Sequence, residues 1–218
     1  MQVPGYSKTF SMDQGAILSN DQTFHALYSA PLTDPKREGI CTGLSIIWVA
    51  RRMMFHKEDA AQRRSGLVSM GGFRFGGRAQ DIHMGSPGGR GSAEDQYRAM
   101  YGRALEPFAL RIVPGSVVDN PIPVRIGNLV DAVQSARTYS LFTIGLRTPG
   151  GDAGHMCASY TSRGTFGLSN FYFFDPNMGE YKIDDMDEVP RFLRAVAELY
   201  VDTFGGLNYF DVFEVERG

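Results

Sequence analysis

Cysteine is scarce in this sequence, since only Cys41 and Cys157 occur among its 218 residues. One pair cannot build a disulfide-dense scaffold, and the lack of any CxxC spacing argues against a structural zinc site. We therefore expect no metal and no cofactor. Two interpretations stay open: a single structural disulfide, or a reduced chain in which one thiol does chemistry.

The sequence also lacks an excess of either charge and any long hydrophobic run. Lys and Arg total 22 against 24 for Asp and Glu, a net charge of -2, which argues against nucleic acid as a partner. The longest apolar stretch, Leu44 to Ala50, is interrupted by Ser45 and is far shorter than the ~20 residues of a membrane span. The first residues, Met1 to Gly5, contain no basic region followed by an apolar core, so we expect no secretory signal peptide.

Hydrophobic periodicity changes once along the chain and predicts an α+β fold. We expect one domain over residues 1–218, with an irregular arm at 1–20, a mainly helical part at 21–137 and a mainly antiparallel sheet at 138–218. A cleft is then expected between the two parts. Segment 71–91 is rich in glycine and predicts a long mobile loop.

Individual elements follow from apolar spacing and from turn residues. Ser92 with Asp95 three residues later indicates a capping box. The predicted helices are 21–30, 41–57, 92–105, 125–137 and 187–204. The predicted strands are 139–146, 153–161, 168–174, 180–183 and 207–215.

Cys41 stands at the first turn of the most apolar predicted helix. Free backbone N–H groups and the helix dipole at that position favour a thiolate over a thiol. Cys41 is therefore a candidate nucleophile, and the alternative is an inert buried cysteine.

Among four histidines, His155 has the position that best suits a general base. It begins a predicted strand, and Asp175 ends the strand that returns from a turn centred near residue 165. Antiparallel pairing about that centre places His155 and Asp175 opposite each other on one face, where the carboxylate orients the imidazole. The alternative is an incidental surface pair. Cys157 shares this face and is the alternative nucleophile or a disulfide partner of Cys41, but it lacks a helix end to stabilise its thiolate.

Three segments carry a resemblance to a known family. The family is that of the YopT/AvrPphB-type cysteine peptidases. Its nucleophile helix is similar to Gly39 to Trp48 of this sequence, and its base strand is similar to Gly154 to Met156. The turn that carries its acidic residue is similar to Phe173 to Tyr181. The resemblance covers about residues 39–55 and 153–182.

The resemblance implies a papain-like fold in which a helical subdomain carries Cys41 and an antiparallel sheet carries His155 and Asp175. It also implies a bacterial effector that is exported by a type III-like route, acts in a host cell and cleaves a host protein. Papain-like enzymes commonly place a Gln several residues before the nucleophile, but Thr33 to Glu38 contain none. Gln22, Asn20 or the backbone N–H of Cys41 then has to stabilise the oxyanion.

Three functional hypotheses follow. The first is a thiol peptidase with a Cys41, His155 and Asp175 triad. The second is a deamidase or transglutaminase acting on Gln or Asn side chains, because the same acyl-enzyme chemistry serves that reaction. The third is a non-enzymatic interaction module in which a papain-like site has decayed.

Overall fold

The centre of the fold is one antiparallel sheet. A computed structural model describes residues 1–20, 39–164 and 169–218. The strands are β1 Lys8–Ser11, β2 Leu110–Ile112, β3 Tyr139–Thr148, β4 Gly151–Thr161, β5 Phe171–Asp175, β6 Gly179–Ile183 and β7 Leu207–Arg217. They form a seven-stranded sheet in the order β1-β6-β5-β4-β3-β7-β2, with every neighbouring pair antiparallel.

Helices cover both faces of this sheet. No helix in the described part of the chain is long and apolar enough to cross a membrane. Two short 3₁₀ turns, Glu106–Phe108 and Met186–Glu188, add to the helices. The α-helices are α1 Gln14–Asn20, α2 Cys41–Met54, α3 Ala60–Leu67, α4 Met70–Met84, α5 Ala93–Leu105, α6 Ile126–Val133 and α7 Val189–Phe204.

The inner strands are apolar on both faces because alternate residues enter two separate cores. Leu141 and Phe213 pack with helices α2, α4 and α5 on the first face. Phe142 and Val212 pack with α6 and α7 on the second face. Helix α6 precedes residue 138 in sequence, yet it lies with α7 rather than with the earlier helices.

Helix α2 is enclosed, as its apolar sequence predicted. Every residue from Cys41 to Ala50 is buried, because the helix lies between strand β4 and helix α4. It ends at Met54, three residues earlier than expected. Near its basic end the guanidinium of Arg52 lies 3.8 Å from the ring centre of Tyr172, a cation–π contact.

A buried carboxylate joins α2 to its neighbours. Glu180 on β6 is fully buried and accepts hydrogen bonds from Trp48 Nε1 at 2.8 Å, from Thr9 Oγ1 at 2.7 Å and from Arg63 Nε and an Arg63 terminal nitrogen, each at 2.8 Å. Burial alone would raise the pKa of Glu180, but the hydrogen bond from Arg63 and the charges of Arg52 and Arg63 lower it below its ordinary value. The charge is therefore kept and fully partnered, as burial requires.

The predicted glycine-rich loop at 71–91 is wrong, because most of it forms helix α4. Ser69 caps the helix by accepting a hydrogen bond from the N–H of Gly72 at 2.9 Å. A side chain at Gly43 of α2 would overlap the backbone carbonyl of Gly76, so the two helices are in backbone contact. Close packing here offsets the low helix propensity of glycine that led to the loop prediction.

The expected irregular arm at residues 1–20 is also ordered. It contains β1, which pairs with β6, and helix α1. Phe10, Met12 and Leu18 enter the first core. A four-residue strand and a seven-residue helix are too short to show periodicity, so neither element could be predicted from hydrophobic spacing.

The other elements agree with expectation within a few residues, apart from two. Short strand β2 and helix α3 were not predicted. The capping box is confirmed, since Ser92 Oγ accepts from the N–H of Asp95 at 3.2 Å and a carboxylate oxygen of Asp95 accepts from the N–H of Ser92 at 3.1 Å. The helix predicted at 21–30 lies outside the described residues.

We predict that Gly43→Ala lowers the free energy of unfolding by about 1–3 kcal/mol, because the added methyl overlaps Gly76. Gly102→Ala in α5 is the matched control, since nothing lies within 4 Å of the position its Cβ would take. That variant should be unchanged or more stable by about 0.5–1 kcal/mol. Urea denaturation followed by circular dichroism measures both, and equal stabilities would contradict the backbone contact.

Candidate active site

Cys41 is the first residue of helix α2 and is buried. The N–H groups on either side of it are capped by two glutamine side chains. Gln14 Oε1 accepts from the N–H of Ile40 at 2.9 Å, and Gln80 Oε1 accepts from the N–H of Thr42 at 3.0 Å. The thiol therefore lies at the positive end of the helix dipole, as the sequence predicted.

His155 and Asp175 form a buried pair on neighbouring strands. His155 Nε2 lies 3.1 Å from Asp175 Oδ1, and the two residues are 7% and 0% exposed. The interpretation as an incidental surface pair is therefore wrong. Because Nε2 bonds to Asp175, Nδ1 is the ring nitrogen left for the thiol of Cys41.

The predicted pairing of β4 with β5 is wrong by two residues. Ser159 lies opposite Phe173 and Ala158 opposite Phe174, so the same register places Asp175 opposite Cys157 and diagonal to His155. A shift by two keeps all three side chains on one face, so the predicted contact survives.

Strand β5 ends where the site begins. It pairs with β4 only from Ala158 to Thr161, so β4 has no β5 partner next to His155. The first turn of α2 approaches β4 there: Ser45 Oγ donates to the carbonyl of Met156 at 2.9 Å, and the side chain of Cys41 interacts with that of His155. Through this gap, helix α2 on the first face of the sheet reaches His155, whose side chain lies on the second face.

Both oxygens of Asp175 are occupied by donors. Oδ1 accepts from His155 and from the N–H of Asn177 at 2.7 Å, and Oδ2 accepts from the hydroxyl of Tyr200 at 2.5 Å and the thiol of Cys157 at 3.3 Å. Burial alone would raise the pKa of Asp175, but the charge of His155 and these hydrogen bonds lower it. Asp175 is therefore a fixed, ionised carboxylate.

The electrostatics favour a thiolate–imidazolium pair. Burial alone would raise the pKa of Cys41, but its hydrogen bond to His155 and the charge of His155 bring the pKa below its usual value. Burial alone would lower the pKa of His155, but the charge of Asp175 raises it well above its usual value. Each shift stabilises the charged form of its group.

Cys157 has the opposite environment. Burial and the charge of Asp175 raise the pKa of its thiol, so it stays protonated. The ligand atoms of His155, Cys157 and Asp175 lie within 4.8 Å of one another, as in a metal site. However, a metal needs free carboxylate lone pairs, whereas here the two oxygens of Asp175 already accept hydrogen bonds from His155, Asn177, Tyr200 and Cys157. The group fits a proton-transfer chain better than a metal.

Sequence analysis missed Tyr200 and Gln14, which contact the site, and Gln80, which caps helix α2. Tyr200 follows the helical spacing of Phe192 and Val196, which predicts burial but not a partner. Gln14 belongs to the segment expected to be irregular, and Gln80 to the segment expected to be a loop. Of the expected oxyanion donors, Gln22 lies outside the described residues.

The fold is similar to that of a solved bacterial protein. The crystal structure of the Pseudomonas avirulence protein AvrPphB aligns with a TM-score of 0.64 and 19% sequence identity, covering 81% of this chain and 91% of that chain. PatoxP, a cysteine protease-like domain of the Photorhabdus asymbiotica toxin PaTox, aligns with a TM-score of 0.42 and 10% identity, covering 88% of this chain and 51% of that chain. No family model matches the sequence, and no curated protein matches it significantly. The similarity to AvrPphB confirms the predicted α+β, papain-like fold.

We predict that Tyr200→Phe lowers the free energy of unfolding at pH 7 by about 1.5–3 kcal/mol, because the charged carboxylate of Asp175 loses the hydrogen bond that the Tyr200 hydroxyl donates to it. The pKa of Asp175 is lowered by folding, so the stability it contributes is present above its unfolded pKa and is lost as the pH falls through its folded pKa. The loss caused by Tyr200→Phe should therefore shrink in acid, where the carboxyl is protonated.

Tyr6→Phe is the control for this prediction. Its hydroxyl donates to Glu188 at 3.3 Å, a part-exposed carboxylate, so a smaller and less pH-dependent loss is expected. Urea denaturation between pH 3 and pH 7 measures both variants. A Tyr200→Phe protein no less stable than Tyr6→Phe would show that the bond to Asp175 is unimportant.

Proposed function

We propose that this chain is a cysteine peptidase, with Cys41 as nucleophile, His155 as general acid and base, and Asp175 as the residue that orients His155. The observation that carries the proposal is the buried group of Cys41, His155 and Asp175, in which His155 is hydrogen-bonded to Asp175 and each pKa shift favours the charged form. We further propose that residues 1–218 form one catalytic domain.

The reaction follows from this arrangement. The thiolate of Cys41 attacks the carbonyl carbon of a peptide bond, and the N–H of Cys41 is the proposed donor to the oxyanion that forms. The imidazolium of His155 gives its proton to the leaving amine as the C–N bond breaks, leaving a thioester. His155 then takes a proton from the water that attacks the thioester, the C–S bond breaks, and the acid product leaves. This restores the thiolate of Cys41 and the imidazolium of His155. Asp175 keeps its charge throughout and stabilises the imidazolium.

The fold supports a protein substrate. AvrPphB, whose fold this chain shares, is named an avirulence protein of Pseudomonas. We propose that this chain likewise acts as an effector, that it is exported by a type III-like route, and that it cleaves a protein of a host cell.

Cleavage is tested with reduced, unfolded casein as substrate. We expect the wild-type chain to produce peptides with new termini, and Cys41→Ala to produce none while keeping its circular dichroism spectrum. Cys157→Ala should continue to cleave, because the protonated Cys157 thiol is a poor nucleophile. Activity in Cys41→Ala with loss in Cys157→Ala would overturn the assignment of the nucleophile.

The same mass spectra distinguish the rival chemistry. A deamidase would add about 1 Da at Gln or Asn without new termini, because water then replaces the side-chain amine rather than a peptide amine. A transglutaminase would give cross-linked products.

The ion pair is tested by the pH dependence of alkylation with iodoacetamide, resolved for each cysteine by peptide mass. We expect Cys41 to react well below the pH of about 8.5 typical of a free thiol, with two inflections. Its reactivity should fall as the pH drops through its own lowered pKa, and the upper inflection should follow the raised pKa of His155.

In His155→Ala the cation is lost but the helix dipole remains. The lower inflection should disappear, and the remaining one should move upward. Cys157 is the internal control and should react slowly at every pH. A wild-type Cys41 profile that is unshifted and insensitive to His155→Ala would favour a decayed, non-enzymatic module instead.

A further inference from the structure

The side chain of Gln14 lies between the two parts of the proposed site and touches both. Its Oε1 accepts from the N–H of Ile40, the residue before Cys41, at 2.9 Å. Its Nε2 donates to Asn177 Oδ1, also at 2.9 Å. One amide group therefore joins the start of helix α2 to the turn between β5 and β6.

The contact continues to the acidic residue. The N–H of Asn177 donates to Asp175 Oδ1 at 2.7 Å, on the same oxygen that bonds to His155. Since the thiol of Cys41 interacts with His155, and Ile40 is covalently joined to Cys41, these contacts close into a ring. The ring runs from Cys41 through His155, Asp175, Asn177, Gln14 and Ile40 and back to Cys41.

The backbone holds Gln14 firmly in this place. Its own N–H donates to the carbonyl of Pro176 at 2.9 Å, and the N–H of Met12 donates to the carbonyl of Met178 at 3.2 Å. Gln14 is only 4% exposed. A Cβ at Gly39 would lie 3.3 Å from both Gln14 Nε2 and Gln14 Oε1, so the amide fills the space beside this glycine.

We propose that Gln14 is a positioning residue of this site, which ties the first turn of α2 to the turn after Asp175 and so fixes Cys41 against His155. The inference rests on the function proposed above and deepens it. Gln14 touches no reacting atom in this scheme, and its effect reaches the chemistry through Ile40 and Asn177. The first fourteen residues therefore contribute to positioning the side chains of the proposed site.

Gln80 provides the matched comparison. It is 6% exposed and caps the N–H of Thr42 through Oε1 at 3.0 Å, so it has the same residue type, burial and capping role on the same helix turn. No hydrogen bond between Gln80 and the β5–β6 turn occurs among the described residues. A purely structural cap predicts the same effect at both positions, whereas a link to the acid predicts an effect on the ion pair at Gln14 alone.

The experiment compares Gln14→Met with Gln80→Met in the full chain, using the pH profile of Cys41 alkylation by iodoacetamide. The titratable groups around the pair are Tyr101 from α5, Tyr200 from α7, and Asp175 and Cys157 from the sheet. Both variants retain all four. We expect Gln14→Met to move the lower inflection upward by about one pH unit and to slow alkylation at pH values below that inflection by about tenfold, because Cys41 and His155 are held less closely. Gln80→Met should lose stability but should not move the lower inflection upward, because the N–H of Thr42 that helps to lower the pKa of Cys41 is kept.

Asn177→Ala removes the other end of the contact and keeps the backbone N–H that bonds to Asp175. It should reproduce the Gln14→Met profile, and the double variant should be no worse than either single one, because all three lose the same link. If Gln14→Met does not fold, Asn177→Ala carries the test.

The outcomes separate this inference from the proposed function. A shifted wild-type profile that is unchanged in Gln14→Met and Asn177→Ala overturns the role of Gln14 and leaves the peptidase proposal intact. Equal shifts in Gln14→Met and Gln80→Met show simple capping and also overturn it. An unshifted profile in the wild type overturns both.

Discussion

The arrangement of this fold depends on the hydrogen bonds and ion pairs made by the buried carboxylate of Glu180. Its charge is shielded from water. The hydrogen-bond donors that compensate for the charge come from three other elements: Thr9 in β1, Trp48 in α2 and Arg63 in α3. Removing one partner of such a buried group typically costs about 3–5 kcal/mol, because the remaining charge is left uncompensated. The elements around it therefore have to assemble together, and helix α2 is fixed in position along the sheet.

The same hairpin supplies a carboxylate to each face of the sheet. Glu180 lies opposite Phe174 and faces α2, whereas Asp175 ends β5 on the opposite face, beneath Tyr200. Between them the turn closes at Gly179, whose φ of +113° and close approach to the carbonyl of Phe10 leave no room for a side chain. One short segment thus anchors helix α2 through Glu180 and holds His155 through Asp175.

Much of this could be predicted from the sequence, where signals were local. The apolar run after Cys41, the capping box at Ser92 and the period of the later strands all specify their own elements. Helix α4 was missed because its glycines lower helix propensity, and only contact with Gly43 of α2 explains them. Gln14 and Tyr200 were missed because their partners are distant in sequence. Gln14 and Ile40 are 26 residues apart, Tyr200 and Asp175 are 25 residues apart, and no spacing rule connects such positions.

The sheet ends in short strands on both sides, which affects how the protein behaves at high concentration. β1 has four residues and β2 has three, and along the rest of β7 the isolated bridges of Val118 and Pro121 cover the outer edge. Short edges and a proline offer few unpaired N–H and C=O groups to a second molecule. Loss of the first dozen residues would uncover β6, whose free edge could then pair with another chain. The N-terminal segment therefore also protects the sheet against self-association.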